Sequence, residues 1–463
     1  MSEPTIVFGT DGWRGVISRE VTYDTMAQVA DAIGRTAGQG SRIVVGYDTR
    51  FLSEEYAHHV ASRLAKAGVE VVLSSRYCPS PALSWTVSRQ RASLGVMVTA
   101  SHNPPTYSGI KIKGPEGGPA PRHLVDRVAS MSRASYHHLS AASPGTVARL
   151  DFGPGYLAEL RRTVERDYLE ALPDKPVVVD SFHGSASGYM STLLEDLGQE
   201  AIEIRGEINP SFGGMSPEPS ARSARVLGRA VREKGGLLGL QFDGDGDRLA
   251  AWEEPHGFIH PQHVFLLLLE HLAKARGWKG RVVCTSAVTR LVDRLADARG
   301  LEVSRQPIGF GNVSREMILG GVLIGGEEAG GFGIGRHIPD RDALLVSLLL
   351  LEMIGHTGQP LCKSLESLFS ELGRMHFDRV DVPMESMSPD RLEASVRDVP
   401  QALAGLRVMA QDRRDGVRLD LEQGAWLLLR ASGTEPLVRV YAEAPRQDQL
   451  KALLEAGLAL FTG

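Results

Sequence analysis

The chain has 463 residues, more than one hydrophobic core normally organises; 42% are hydrophobic and 23% charged, as in globular proteins with large buried cores. Its formal net charge of -5 excludes the global basic field of a non-specific nucleic-acid binder, so any anion must be held by a few placed Arg, Lys and backbone N–H groups. Three cysteines, Cys78, Cys284 and Cys362, far apart and without C-x-x-C spacing, exclude a disulfide framework and a zinc knuckle.

The first residues (MSEPTIVFGT) show no basic stretch followed by an apolar run, so a cytoplasmic protein without a membrane partner is expected. The longest apolar run, 343–354, is broken by Ser347 and Glu352 and is too short to span a bilayer. Further along, RIVVGYDTR (42–50), PVVVDSFHG (176–184) and RVVCTSAVT (281–289) each read as a short buried strand followed by a polar turn. About 40 to 60 residues after each comes a second apolar run ending in a polar or glycine-rich loop. These are LGVMVTASHNPP (94–105), LLGLQFDGDGDR (237–248) and GVLIGGEEAGG (321–331). Helix-like segments fill the gaps, such as 54–67 closed by Gly68 and 190–197 closed by Gly198.

Three tandem α/β units with mixed sheets are the simplest account. In open α/β sheets, function sits on loops beyond the carboxyl ends of strands, which is where all three second runs lead. The last stretch differs: WLLLRASGTEPLVRVYAEA (426–444) reads as two strands around a turn, followed by a helix over 448–460. A smaller C-terminal α+β domain is expected there. The expected domains are 1–150, 151–254, 255–371 and 372–463, with linkers near 143–154 and 255–260.

Several segments carry chemistry. In FGTDGWRG (8–15), glycines flanking Arg14 let backbone N–H groups approach an anion while the guanidinium forks onto it, the competing reading being a turn with an exposed arginine. Ser101 and His102 stand in a strand-end loop, with Lys111 ten residues on to return a cation or an acid–base group; an ordinary turn serine is the competing reading. No G-x-S-x-G elbow surrounds Ser101, which disfavours a triad hydrolase.

Asp243, Asp245 and Asp247 alternate with glycine, so three carboxylates can converge on one hard cation, Mg²⁺ or Ca²⁺. An EF-hand-like loop is opposed by Arg248, which stands where such a loop needs glycine, and by flanks that read as strand; a solvated acidic turn with no ion is the other competing reading. Arg248 beside a metal site favours a phosphate-bearing ligand. Glu327 and Glu328 between glycines suit sugar hydroxyls or a solvated turn. Arg430, Ser432, Gly433 and Thr434, with Arg439 close behind, form either a phosphate cradle or a surface hairpin.

Taken in this order, the segments resemble the α-D-phosphohexomutase superfamily, which includes phosphoglucomutase and phosphomannomutase; TASHNPP and DGDGDR are the most specific parts. The resemblance runs from Phe8 to Arg439. It implies four domains around a central cleft, each donating one loop. It implies that Ser101 carries a phosphoryl group and, with Asp243, Asp245 and Asp247, holds Mg²⁺, while Arg14, His102 and Lys111 handle charge and protons. Arg248 and Glu327 would meet the substrate, and Arg430, Ser432, Gly433, Thr434 and Arg439 would hold the phosphate that is not transferred. The partners would be sugar phosphates, with a hexose 1,6-bisphosphate as activator.

The chain departs from the family pattern at Ala329, where serine is frequent, and at PIGFGNV (307–313), which lacks the usual Lys or His. Asp342-Ala343 replaces a more usual Asp-Gly. A glucosamine-type mutase usually has Gln-Ser-Gly-His in the sugar loop, against Glu328, Ala329 and Gly331 here. The same residues are compatible with a sugar-phosphate-binding protein of little turnover, or with a Mg²⁺-dependent phosphatase.

Overall fold

A computed structural model describes residues 6–9, 12–133, 141–384, 388–397, 399–431 and 437–462. Four sheets follow one another along the chain. The first contains β1 (Phe8–Gly9), β2 (Gly12–Val16), β3 (Arg42–Tyr47), β4 (Glu70–Ser74), β5 (Leu94–Val98), β6 (Tyr107–Lys113) and β7 (Val147–Leu150). The second contains β8 (Val177–Asp180), β9 (Ala201–Ile204), β10 (Leu238–Phe242), β11 (Leu249–Glu253) and β12 (Gly257–Ile259). The third contains β13 (Arg281–Thr285), β14 (Val303–Gln306), β15 (Val322–Gly326) and β16 (Phe332–Ile334). The fourth contains β17 (His376–Pro383), β18 (Ala402–Leu403), β19 (Leu406–Asp412), β20 (Val417–Leu421), β21 (Trp426–Ala431) and β22 (Leu437–Ala444).

The first three units repeat one topology. A central strand (β3, β8 or β13) pairs in parallel with β4, β9 or β14 on one side and with β5, β10 or β15 on the other. The last of these then turns back into an antiparallel strand, β6, β11 or β16. The hairpin loops 99–106, 243–248 and 327–331 therefore occupy equivalent places in three units, and they are the loops singled out from the sequence. The central strands are apolar on both faces because helices cover both sides. In the first unit, Ile43 and Val45 belong to one apolar cluster with helices Tyr23–Ala37, Ser53–Lys66 and Arg122–Arg133, while Val44 belongs to another with helix Ser80–Arg89.

One expectation changes in detail: strand β12 pairs with β11, so the second sheet runs past the expected boundary at 254. Among the described residues the C-terminal unit holds six strands, and β21 and β22 pair antiparallel as the two strands expected over 426–444. Helix Gln447–Thr462 closes it.

The apolar run at 343 forms helix Ala343–Thr357, buried at every position from Ala343 to Ile354. A helix apolar all round must lie in a core. Asp342 caps it, accepting from Leu345 N at 3.0 Å, and Gly358, at φ 63°, ends it. Its one buried charge, Glu352, accepts from Arg276 Nε at 2.5 Å and from Glu165 N at 2.8 Å, and pairs with His271 Nε2 at 2.6 Å. Among the described residues, no single helix is long and apolar enough to cross a membrane.

One apolar cluster runs through the first three units, from Val44 and Met97 through Val177 and Leu240 to Val282 and Leu344. The fourth unit has a separate core around Leu392, Leu427, Val440 and Leu453. It docks on the third through a small cluster (Ala287, Trp426, Leu428, Tyr441) and polar ties such as Arg290 to Asp420 at 2.7 Å.

Candidate active site

Ser101 leaves β5 in a left-handed conformation, φ 51°, that a serine adopts only when its surroundings impose it. Two groups do so. Its N–H donates to Thr99 Oγ1 at 2.8 Å, and its carbonyl accepts from Arg50 Nη2 at 2.6 Å. Arg50 also donates to the carbonyls of Asn103 (2.7 Å), Pro104 (2.8 Å) and Tyr107 (3.0 Å), so one guanidinium holds the whole loop. Asp48 steadies it: its Oδ2 lies 3.2 Å from Arg50 Nε and accepts from Thr99 Oγ1 at 2.6 Å. Burial pushes the Asp48 carboxyl up and the Arg50 guanidinium down, each opposed by the other's charge. Both residues come from the turn after β3, read from sequence only as polar. The available signal was an Asp-x-Arg pair leaving a buried strand adjacent to the serine's strand.

The 243–248 loop approaches from the second unit. A Cβ on Gly244 would lie 2.4 Å from the Ser101 carbonyl oxygen, so the two loops meet backbone against backbone and only glycine fits. Ser101 Oγ donates to Asp243 Oδ2 at 2.9 Å, and Asp243 Oδ1 accepts from Asp247 N at 2.9 Å and Arg248 N at 3.2 Å. Asp245 Oδ2 accepts from Ser80 Oγ at 2.5 Å. Ligand atoms of Asp243, Asp245 and Asp247 all lie within 4.8 Å of one another, and all three side chains are buried. Burial first, and then Asp247 and Asp245, push the Asp243 carboxyl well above the carboxylate range. Asp245 Oδ1 is buried without a hydrogen-bond partner among the described residues. Converging oxygens, an orphaned acceptor and only hard ligands fit Mg²⁺.

Cations surround this cluster. Lys111 Nζ lies 2.7 Å from Asp245 Oδ2 and 2.8 Å from Asp247 Oδ2. Arg14, on β2 beside the strand of Lys111, donates to Asn103 Oδ1 at 2.7 Å. His102 is half-buried with Nδ1 unpartnered among the described residues. Burial, then Arg248, Arg14 and Lys111, hold its imidazole well below the usual histidine range, so it is neutral near pH 7.

The third unit joins through Arg341, which sequence reading missed. Its Nη2 lies 2.9 Å from Asp247 Oδ2, its Nη1 donates to Glu327 Oε2 at 3.1 Å, and its guanidinium stands 5.2 Å from the Phe310 ring centroid. It brings a cation to the 307–313 turn that lacks Lys and His. A Cβ on Gly331 would come within 2.3 Å of Arg341 Cδ. Glu327 is buried, and burial raises its carboxyl against the pull of Arg341 and Arg248. Backbone pairing of Arg248 with Gly331 ties the 243–248 loop to the 327–331 loop directly.

Ser101, Lys111, Glu327 and the three aspartates thus form one connected network, with His102 and Arg248 beside it. Arg430 and Arg439 stand apart from it, opposite each other on β21 and β22. Arg430 Nε donates to Asp415 Oδ1 at 2.7 Å. Ser432, Gly433 and Thr434 lie outside the described residues. Burial, with Glu328 adding, raises the Tyr441 hydroxyl to about 12, and Arg439 and Arg430 oppose this, so the charges of the 327–331 loop and of the β21–β22 arginines both act on Tyr441.

Models of the phosphoglucomutase/phosphomannomutase family match four stretches: α/β/α domain I over 5–136, domain II over 154–256, domain III over 260–372 and the C-terminal domain over 389–459. A phosphoglucomutase/phosphomannomutase of Thermococcus kodakarensis is 29% identical, covering 98% of both chains. The "Probable phosphoglucosamine mutase" of Pyrococcus furiosus is 30% identical over 98% of this chain and 97% of its own. A crystal structure from Thermus thermophilus, of a protein assigned as a phosphomannomutase, is 34% identical, covers both chains completely and superposes with a TM-score of 0.87.

Proposed function

Because the chain belongs to the phosphoglucomutase/phosphomannomutase family of intramolecular phosphotransferases, we propose that it interconverts hexose 1-phosphate and hexose 6-phosphate, with glucose or mannose as the sugar, through phosphorylated Ser101. The observation that carries this reading is the Ser101 hydroxyl, 2.9 Å from Asp243 at the mouth of three converging carboxylates.

Phosphoserine gives its phosphoryl group to the free hydroxyl of the sugar phosphate, making a bound 1,6-bisphosphate. The bisphosphate reorients, and its other phosphate returns to Ser101. Neutral His102 accepts the proton of the attacking hydroxyl, and Lys111, Arg14 and Arg248 offset charge spreading over the transferred group. Bound Mg²⁺, held by Asp243, Asp245 and Asp247, would supply Lewis-acid stabilisation of that charge. Glu327 accepts from sugar hydroxyls, and Arg430, Arg439 and the 432–434 segment hold the resting phosphate.

A glucosamine phosphate substrate is the second reading, motivated by the printed names of relatives such as the Pyrococcus furiosus protein. Against it, any side chain at 331 would collide with Arg341, and Gly331 stands where glucosamine-type mutases usually carry histidine.

The purified chain is incubated with Mg²⁺, a trace of glucose 1,6-bisphosphate and, in turn, glucose, mannose and glucosamine 1-phosphates, and the 6-phosphates are followed. Product lost with EDTA and in Ser101→Ala is expected. Release of inorganic phosphate instead indicates a phosphatase, and binding without turnover a sugar-phosphate-binding protein.

A further inference from the structure

Asp415 lies in the turn between β19 and β20 of the fourth unit. Its Oδ1 accepts from Arg430 Nε at 2.7 Å, and its Oδ2 accepts from the backbone N–H of Ile308, in the third unit, at 2.6 Å. The Arg430 and Asp415 side chains are only 14% and 16% exposed, so water weakens the pair little. Ile308 leads into helix Phe310–Ile318, and the ring of Phe310 carries Arg341, which holds Glu327. A continuous line of contacts therefore runs from Arg430 to the sugar loop, and Asp415 is the point where that line crosses between units.

We propose that Asp415 is a positioning residue that fixes Arg430 for phosphate and ties it to the 307–313 turn, so that phosphate grip and sugar readout are set together. This rests on the reading of Arg430 as a phosphate grip. A guanidinium is a rigid planar fork, so pinning Nε fixes where both Nη groups point. One carboxylate can satisfy two donors from different units because its two oxygens accept independently. The joint itself does not depend on Asp415. Arg290 Nη2 donates to Asp420 at 2.7 Å, Arg290 N donates to Glu443 at 2.9 Å, and Arg418 reaches the Ser286 carbonyl. Loss of Asp415 loosens Arg430 and leaves the units docked.

A grip on the resting phosphate acts alike in ground and transition states, so loosening it raises KM and spares kcat. The test is a double-mutant cycle on Asp415→Asn and Arg430→Ala, using the hexose 1-phosphate turned over fastest in the assay above. Asparagine has one acceptor oxygen and cannot serve both donors. Asp415→Asn is expected to raise KM about tenfold with kcat within about twofold, and to add less than about twofold to KM when Arg430 is already alanine. An equal rise in both backgrounds, an unchanged KM, or tighter binding overturns the inference while the phosphate grip stands. An Arg430→Ala chain with unaltered KM, or a chain that turns over no hexose phosphate, sinks the underlying reading and this one with it. Should Asp415→Asn fail to fold, Asp415→Ser goes through the same cycle and is judged by the same outcomes.

Discussion

Arg341 Nη2 lies 2.9 Å from Asp247 Oδ2 while Nη1 of the same guanidinium donates to Glu327 at 3.1 Å, so one buried side chain spans two loops from two units. The span needs two nitrogens held in one plane, and only arginine supplies them. It also needs the empty space at Gly331.

Replacing Arg341 by lysine keeps the charge and loses the bridge. With a single ammonium unable to hold both carboxylates at once, Glu327 loses its fixed orientation. KM for the sugar phosphate is expected to rise about tenfold, or ~1.4 kcal/mol, with a smaller change in kcat. Steady-state kinetics on two hexose 1-phosphates checks this, and equal KM values for Arg341→Lys and wild type would refute it.

Arg50→Ala is expected to lower both stability and kcat. The change strands four carbonyl groups and leaves the buried carboxylate of Asp48 without its cation, at a cost of about 3–5 kcal/mol. Ser101 then keeps only the Thr99 contact of the two that hold its left-handed backbone. Thermal unfolding and turnover, measured on one preparation, should fall together.

The pH profile tests His102. Because burial and three cations hold its imidazole well below the ordinary value of ~6.5, the neutral, proton-accepting form persists as the pH falls through that value. The limb of kcat/KM that follows His102 should stay flat between about pH 6 and 8. A fall centred near pH 6.5, absent in His102→Ala, would contradict the assignment.

Glu352 should contribute to acid sensitivity of the fold. Burial pushes its carboxyl up, but hydrogen bonds with His271 and Arg276 and from Glu165 N outweigh it and hold it below the usual range. A depressed carboxylate contributes stability that is present above its unfolded value of ~4.3 and lost as pH falls through the folded one. Glu352→Gln should therefore cost stability at pH 7 and cost less near pH 3. Melting curves of both proteins at the two pH values measure the difference.

The three tandem units and their strand-end loops were legible along the chain, because those signals are local. A buried strand reads as an apolar run, its end reads as a polar turn, and Asp243-Gly-Asp-Gly-Asp247 carries its chemistry in five consecutive residues. Which distant groups hold those loops in place became visible only once the sheets were packed together. Arg50 lies 51 residues before the serine whose carbonyl it binds, and Asp415 lies 107 residues beyond Ile308. In the sequence such residues look like ordinary turn charges. What sets Arg50, Arg341 and Asp415 apart is burial against backbone and carboxylate groups from other strands and units. Pattern along the chain cannot encode that, because the contacts form only once the separate sheets have come together.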